Sequence, residues 1–213
     1  VVTVQADEKM DASLWKGTAL ESLGREDDVL VQERIVKINH GIPRDFPDKV
    51  LDAARSLPRD PGEDDVSGRR DLRGLSFVTI DGAKAKDFDD AICVSSSRKG
   101  FTLLVAIADV SHYVQPGSSL DREARSRGNS SYFPQSVEPM FPSELSTGLC
   151  SLNPNVPRLV MVAEMDFSTQ GVRLRSDFYP AAITSKARLT YSQVKAALLD
   201  HDPEEARKIE PVM

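Results

Sequence analysis

Four aspartates, Asp81, Asp87, Asp89 and Asp90, stand within ten residues of the stretch Thr79-Ile80-Asp81-Gly82-Ala83-Lys84-Ala85-Lys86-Asp87-Phe88-Asp89-Asp90-Ala91-Ile92. Each carboxylate ionises near pH 4, so the segment is heavily negative at neutral pH. Two unit charges about 4 Å apart repel by roughly 4 kcal/mol at an effective dielectric of about 20. A folded chain must splay such a cluster into water, protonate part of it, or hold cations in it. Oxygen-only ligands suit a hard ion, Mg²⁺ or Mn²⁺, and not zinc. Two such ions about 3.5–4 Å apart form an arrangement that cleaves phosphodiesters. The D-x-D-x-D-G order of a calcium EF-hand is absent. Taken alone, the cluster reads first as a solvated acidic loop.

Consecutive residues on a strand face opposite ways, so the four carboxylates converge only if residues 82–90 form a loop that doubles back. Gly82 permits one. Leu75–Ile80 is the strand expected to deliver the chain to Asp81, and Ala91–Val94 the strand that leaves. A hairpin turn at Ser97–Gly100 leads into Phe101–Val110, apolar enough for a central strand buried on both faces. A helix follows from Ser118-Ser119 to Gly128, then a proline-rich extended passage over 131–142 and a short helix through Glu144 and Leu145. Strands are expected at Leu159–Met165, Val172–Tyr179 and Ala181–Ser185, with an amphipathic helix at Tyr191–Leu199. The polar end, His201–Met213, shows no face to pack.

Upstream, Val1–Val4 and Trp15–Gly24 read as strands, and Asp27-Asp28 caps a helix through Val29, Leu30, Ile35 and Val36. Phe46–Ala54 is a compact helix with Pro47 at an early position. From Leu57 to Arg73 the chain is Pro, Gly, Asp, Glu and Arg, a surface linker whose Arg69, Arg70 and Arg73 are expected to be solvated. Three segments result: 1–38, 39–70 and 71–213.

The 213 residues are 40% hydrophobic and 28% charged, the composition of an ordinary soluble protein. No apolar stretch approaches the ~20 residues of a membrane span, and the first residues lack signal-peptide regions. Cys93 and Cys150 suggest no disulfide framework, so a reducing cytoplasm is the expected location. A zinc site from these cysteines and His40, His112 and His201 is disfavoured by their separation. A net charge of −6 weighs mildly against a nucleic-acid partner, since such modules usually carry a basic face.

The neighbours of the aspartates change that balance. Asp71-Leu72-Arg73, Thr79-Ile80-Asp81-Gly82 and Ala85-Lys86-Asp87-Phe88-Asp89-Asp90-Ala91 closely resemble the catalytic signature of the RNB exoribonucleases, the ribonuclease II and ribonuclease R family. The resemblance continues in order through Ile107–Val114, Asp121–Ala124, Tyr132-Phe133-Pro134, Pro139–Pro142, Leu149–Pro154 and Ile183–Tyr191. Tyr-Phe-Pro and Cys-Ser-Leu-Asn-Pro look more like the ribonuclease R branch. It implies an α+β fold, a mainly antiparallel sheet with flanking helices, with residues 1–38 as the end of a β-barrel OB or cold-shock-like module. It further implies Mg²⁺-dependent 3′→5′ hydrolysis of single-stranded RNA to 5′ mononucleotides. Asp81 and Asp90 match the principal magnesium ligands and Asp87 a further acidic one. Asp89 matches the aspartate most critical for cleavage, and Tyr132 an aromatic that stacks near the 3′-terminal nucleotides, an interaction every base can make.

Other residues are expected to be structural: His112 as a packing histidine, Asp109 as a hydrogen-bonded strand-end carboxylate, Cys93 and Cys150 as inert thiols. Lys84 and Lys86 either offset the acidic cluster, meet phosphate, or are simply exposed. The family's later arginine, glutamate and second aromatic clamp have no counterpart here. The expectation is the N-terminal part of a catalytic domain, inactive alone, whose partners are RNA and the rest of that domain or a larger RNA-decay assembly. The alternative is a non-catalytic RNB-like fragment that binds RNA or protein.

Overall fold

A computed structural model describes residues 1–210. In chain order the elements begin with β1 (Val2–Lys9), β2 (Trp15–Ser22), α1 (Val29–Asn39), α2 (Asp48–Arg55), α3 (Glu63–Val66) and β3 (Arg70–Asp71). Next come β4 (Phe77–Asp81), β5 (Asp90–Ser97), β6 (Gly100–Ala108), α4 (Val110–Tyr113), α5 (Ser119–Arg127), β7 (Ser131–Tyr132) and β8 (Val137–Glu138). A π-helical turn at Glu144–Leu149 precedes β9 (Pro157–Ser168), β10 (Arg173–Thr190), α6 (Tyr191–Leu198) and α7 (Pro203–Ile209). The chain divides into two compact units, one of Val1–Phe46 with Ser126–Met140, the other of Pro47–Arg125 with the chain from Phe141 onward.

In the first unit β1 and β2 pair antiparallel and leave Val4, Trp15 and Leu20 exposed. The Asp28 carboxylate accepts a hydrogen bond from the Leu30 amide at 2.9 Å and so caps α1, as its position suggests. Buried Glu33 accepts from the Gln135 amide and the Ser136 hydroxyl, and Lys37 pairs with Glu138 at 2.6 Å. Helix α1 thereby holds the β7–β8 hairpin.

The second unit contains a six-stranded sheet in the order β3-β10-β4-β5-β6-β9, with β10 also paired to β9. Four pairings are antiparallel, while β10 runs parallel to β3 and β4. Hydrogen bonding therefore makes a circuit from β4 through β5, β6, β9 and β10 back to β4. The 18 residues of β10 make this possible, since its first part lies along β9 and Ser185–Thr190 along β4. The expected strands Val172–Tyr179 and Ala181–Ser185 are thus one. Proline removes a donated hydrogen bond but not extended backbone, so Pro180 does not end the strand.

Phe77, Leu152, Leu159, Val160, Val162 and Ile183 are fully buried and fill the core of this unit. Strand β6 is central, but only one of its faces is fully buried. Leu104 and Ala106 are buried, whereas Phe101 and Ile107 are 37% and 48% exposed. Apolar residues on both faces of a strand mimic full burial in the sequence; packing decides which face is covered.

The charged stretch from Leu57 to Arg73 is only in part the solvated linker expected: much of it, Arg70 included, is exposed, but several of its side chains are engaged across the fold. Arg69 donates to Asp109 at 2.7 Å, His112 Nε2 lies 3.0 Å from Asp65, and Arg70 stacks over the Tyr179 ring at 3.6 Å. Arg158 reaches back to Asp60 at 2.8 Å. These partners lie far apart in sequence, so charge spacing could not announce them. The structural roles expected of Asp109 and His112 follow from the same contacts. The polar C-terminal stretch also packs: Ile209 joins Val78, Leu189 and Ala197 in a buried cluster, with Val194 and Ala206 against it. Ala206 and Ile209 are three apart and share a helix face, a two-residue stripe too short to read as periodicity. Asp202 caps α7 by accepting from the Glu204 amide at 2.8 Å. The end of that expected stretch, Pro211 to Met213, lies outside the described residues.

Burial opposes ionisation of Asp109, but the Ser111 hydroxyl and Arg69 outweigh it and hold the carboxyl below its ordinary range. Removing one partner of a buried pair strands the other charge, at about 3 kcal/mol or more. Arg69→Ala is expected to lower the unfolding free energy at pH 7 by about that amount in urea titrations. A depressed carboxyl contributes stability above its unfolded value near pH 4 and loses it as the pH falls through the folded value. The Arg69→Ala penalty should therefore shrink in acid.

Candidate active site

Strand β4 ends at Asp81 and β5 begins at Asp90, so residues 82–89 form the loop between them. Its first half is a turn in which the Ala85 amide donates to the Gly82 carbonyl at 3.0 Å. Its second half is pinned to the core. Phe88 is 6% exposed; its amide donates to Ser151 Oγ at 3.1 Å and its carbonyl accepts from the Leu152 amide at 2.8 Å. The Asp89 carbonyl accepts from the Ala108 amide at 3.0 Å. Arg158 in turn holds the anchor, donating from Nε to the Ser151 carbonyl at 3.0 Å. Sequence reasoning missed Ser151 and Arg158 as supports. Ser151 lies inside a quoted motif, but a serine carries no sign that its hydroxyl accepts from a backbone amide 63 residues away.

The loop brings all four aspartates within electrostatic reach of one another. Burial pushes the Asp81 carboxyl up from its ordinary value and Asp90 adds to it, while the Thr79 hydroxyl and then Arg188 pull the other way. Asp89 keeps an exposed surface, yet desolvation by the protein around it, and then Asp87, Asp90 and Asp81, push it up as well. Asp81 Oδ2 is buried and has no hydrogen-bond partner among the described atoms. Among the described residues no three His, Cys, Asp or Glu side chains close to metal-coordination spacing. The donor set still fits a hard cation. Hard oxygen ligands, an orphaned buried carboxylate oxygen and mutual repulsion are all answered by positive charge. Asp89 and Asp90 are exposed.

Tyr132 belongs to the other compact unit, on β7 opposite Val137, and is 66% exposed. Lys84 and Lys86 are exposed. Burial first, and Asp89 second, push the Cys150 thiol up to about 12, which keeps it protonated and inert at neutral pH.

The RNB domain family matches residues 69–211, which include the loop, its anchors and Tyr132. The chain belongs to the RNB family. Ribonuclease R of Acidithiobacillus ferrooxidans is 48% identical over 189 residues, 89% of this chain and 43% of that protein. Ribonuclease R of Escherichia coli strain K12 is 48% identical over 179 residues, 84% of this chain and 22% of that protein. The structure of Mycoplasma genitalium RNase R in complex with ribose methylated single-stranded RNA superposes with a TM-score of 0.87 at 38% identity, covering 99% of this chain and 34% of that one. The chain thus spans less than half the length of these relatives. The mixed α and β architecture expected from the sequence is that of the RNB domain in these solved structures. Among the described residues no helix is long and apolar enough to cross a membrane.

A carboxyl whose folded value is raised contributes stability below its unfolded value near pH 4 and loses it as the pH rises through the folded one. In metal-free protein Asp89→Asn is therefore expected to melt higher than the unsubstituted chain at pH 7. Solvent screening limits the gain to at most about 1 kcal/mol, a few degrees in a domain of this size. The gap should close as the pH falls toward 4, which thermal melts across pH would read.

Proposed function

We propose that this RNB chain carries the metal-binding part of the active site of a 3′→5′ exoribonuclease that hydrolyses single-stranded RNA to 5′ mononucleotides. The observation that supports it is the anchored loop with four electrostatically coupled aspartates, in a chain 48% identical to ribonuclease R. Asp81, Asp87, Asp89 and Asp90 would hold Mg²⁺, with Mn²⁺ as a substitute. Bound divalent ions supply Lewis-acid stabilisation of the charge that develops on a phosphate during cleavage.

The chain's own residues do the rest. Phe88 and Ser151 fix the backbone on either side of Asp87 and Asp89, so the carboxylates spend little conformational entropy on closing. Asp89, whose carboxyl is exposed, would orient or deprotonate the attacking water. Tyr132 offers an exposed ring for stacking bases without reading them. Two free cysteines suit a reducing cytoplasm. A second reading, an RNB-like unit that binds RNA or protein without cleaving, draws on the open spacing of the carboxylates.

The segment matched in Escherichia coli ribonuclease R can be replaced by this chain's residues 69–200, and the chimaera assayed on end-labelled single-stranded RNA with Mg²⁺. Mononucleotide release is expected, falling by at least ~10²-fold in Asp89→Asn, the scale of losing one charge-stabilising group. Equal cleavage by the Asp89→Asn chimaera would sink the assignment. Salt-dependent RNA binding by the chimaera without turnover would select the binding reading. The 213-residue chain alone is expected to release no mononucleotide.

A further inference from the structure

Arg188 lies on β10, whose parallel register sets Arg188 beside Thr79 of β4 and Thr190 beside Asp81. Side chains two apart on a strand share a face, so Arg188 stands on the face of the β4–β10 pair that carries Asp81. There its Nη2 donates to the Ala83 carbonyl at 2.8 Å, the Gly82 carbonyl at 3.1 Å and, weakly, the Ala85 carbonyl at 3.4 Å. Its guanidinium carbon is also 5.2 Å from the centre of the Phe88 ring, which plugs the second half of the loop into the core. Both halves of the aspartate loop meet at this one side chain.

Glycine does not shape the turn. A Cβ added at Gly82 would meet nothing within 4 Å, and its backbone is outside the left-handed region. What draws three carbonyls together is a cation with donors aimed at them, a bond type stronger than a neutral one.

We propose that Arg188 is a positioning residue for the carboxylate site, clamping the Gly82–Ala85 turn so that Asp81 and the Asp87–Asp90 segment are held to one another. Part of its test rests on the divalent-cation reading above. The sign of the effect separates positioning from simple charge. A fixed cation beside a cation site repels the incoming metal, so removing Arg188 tightens metal binding if charge is all it contributes. If it positions the ligands, removing it weakens binding.

Two readouts on the 213-residue chain test this. The first is hydrogen exchange of the Ala85 amide in metal-free protein, and the second is calorimetric titration with Mn²⁺. In Arg188→Met, with the fold checked by circular dichroism, Ala85 is expected to exchange about 10-fold faster as the turn opens locally. Mn²⁺ is expected to bind about 10-fold more weakly, the scale found for residues that orient metal ligands. Arg188→Lys keeps the cation and a donor and should fall between the two; it serves as the informative variant if Arg188→Met does not fold. Unchanged Ala85 exchange in the folded variant overturns the clamp, and so does tighter or unaltered Mn²⁺ binding. If the unsubstituted chain takes up no Mn²⁺ while Ala85 exchange responds to Arg188, the clamp stands and the metal reading is what has failed.

Discussion

Like-charge crowding on a short loop is the constraint around which the second compact unit is arranged. Four carboxylates separated by at most nine residues cannot all be buried as charges, because each buried charge without a partner is costly. They cannot drift apart either if they are to share a cation. The protein resolves this by fixing the backbone that carries the charges. Phe88 enters the core, and Ser151, Leu152 and Ala108 bond the backbone of Phe88 and Asp89. None of these bonds involves a carboxylate; they hold the main chain of the loop.

The sheet circuit provides the anchors. Strand β10 carries Arg188 to the turn and Thr190 to Asp81, and it can do so because its other half is already paired along β9. The segment with Ser151 follows the π-helical turn and lies just before β9. Arg158, in β9, ties that segment to Asp60, far upstream. The site's anchors are therefore distributed from Asp60, ahead of α3, to β10, and apart from the two strand ends at Asp81 and Asp90 these elements supply none of the four aspartates.

The relation to ribonuclease R fits this division of labour. Cys150–Pro154 and Ile183–Tyr191 carry part of the family resemblance without obvious chemistry of their own. Their contacts give them a purpose: one receives the Phe88 backbone and the other clamps the Gly82–Ala85 turn. Motifs that carry a family resemblance can thus be support rather than chemistry.

The strands flanking the aspartates, the loop between them and the cap of α1 were legible in the residues. Each rests on local rules: alternation, capping side chains and turn composition act within a few positions of the chain. The four candidate ligands were legible for the same reason, being close in sequence and of one type. The parallel pairing of β10 with β4, the packing of α7 and the burial of Arg69 with Asp109 were not. Each joins residues far apart in the chain, and a pattern within ten residues carries no record of what lies across the fold. Only the tertiary structure shows that Asp81 Oδ2 is buried without a partner and that Arg188 reaches the turn beside it. Charge and spacing name the ligands of a site; what holds them in place is decided by contacts made across the sheet.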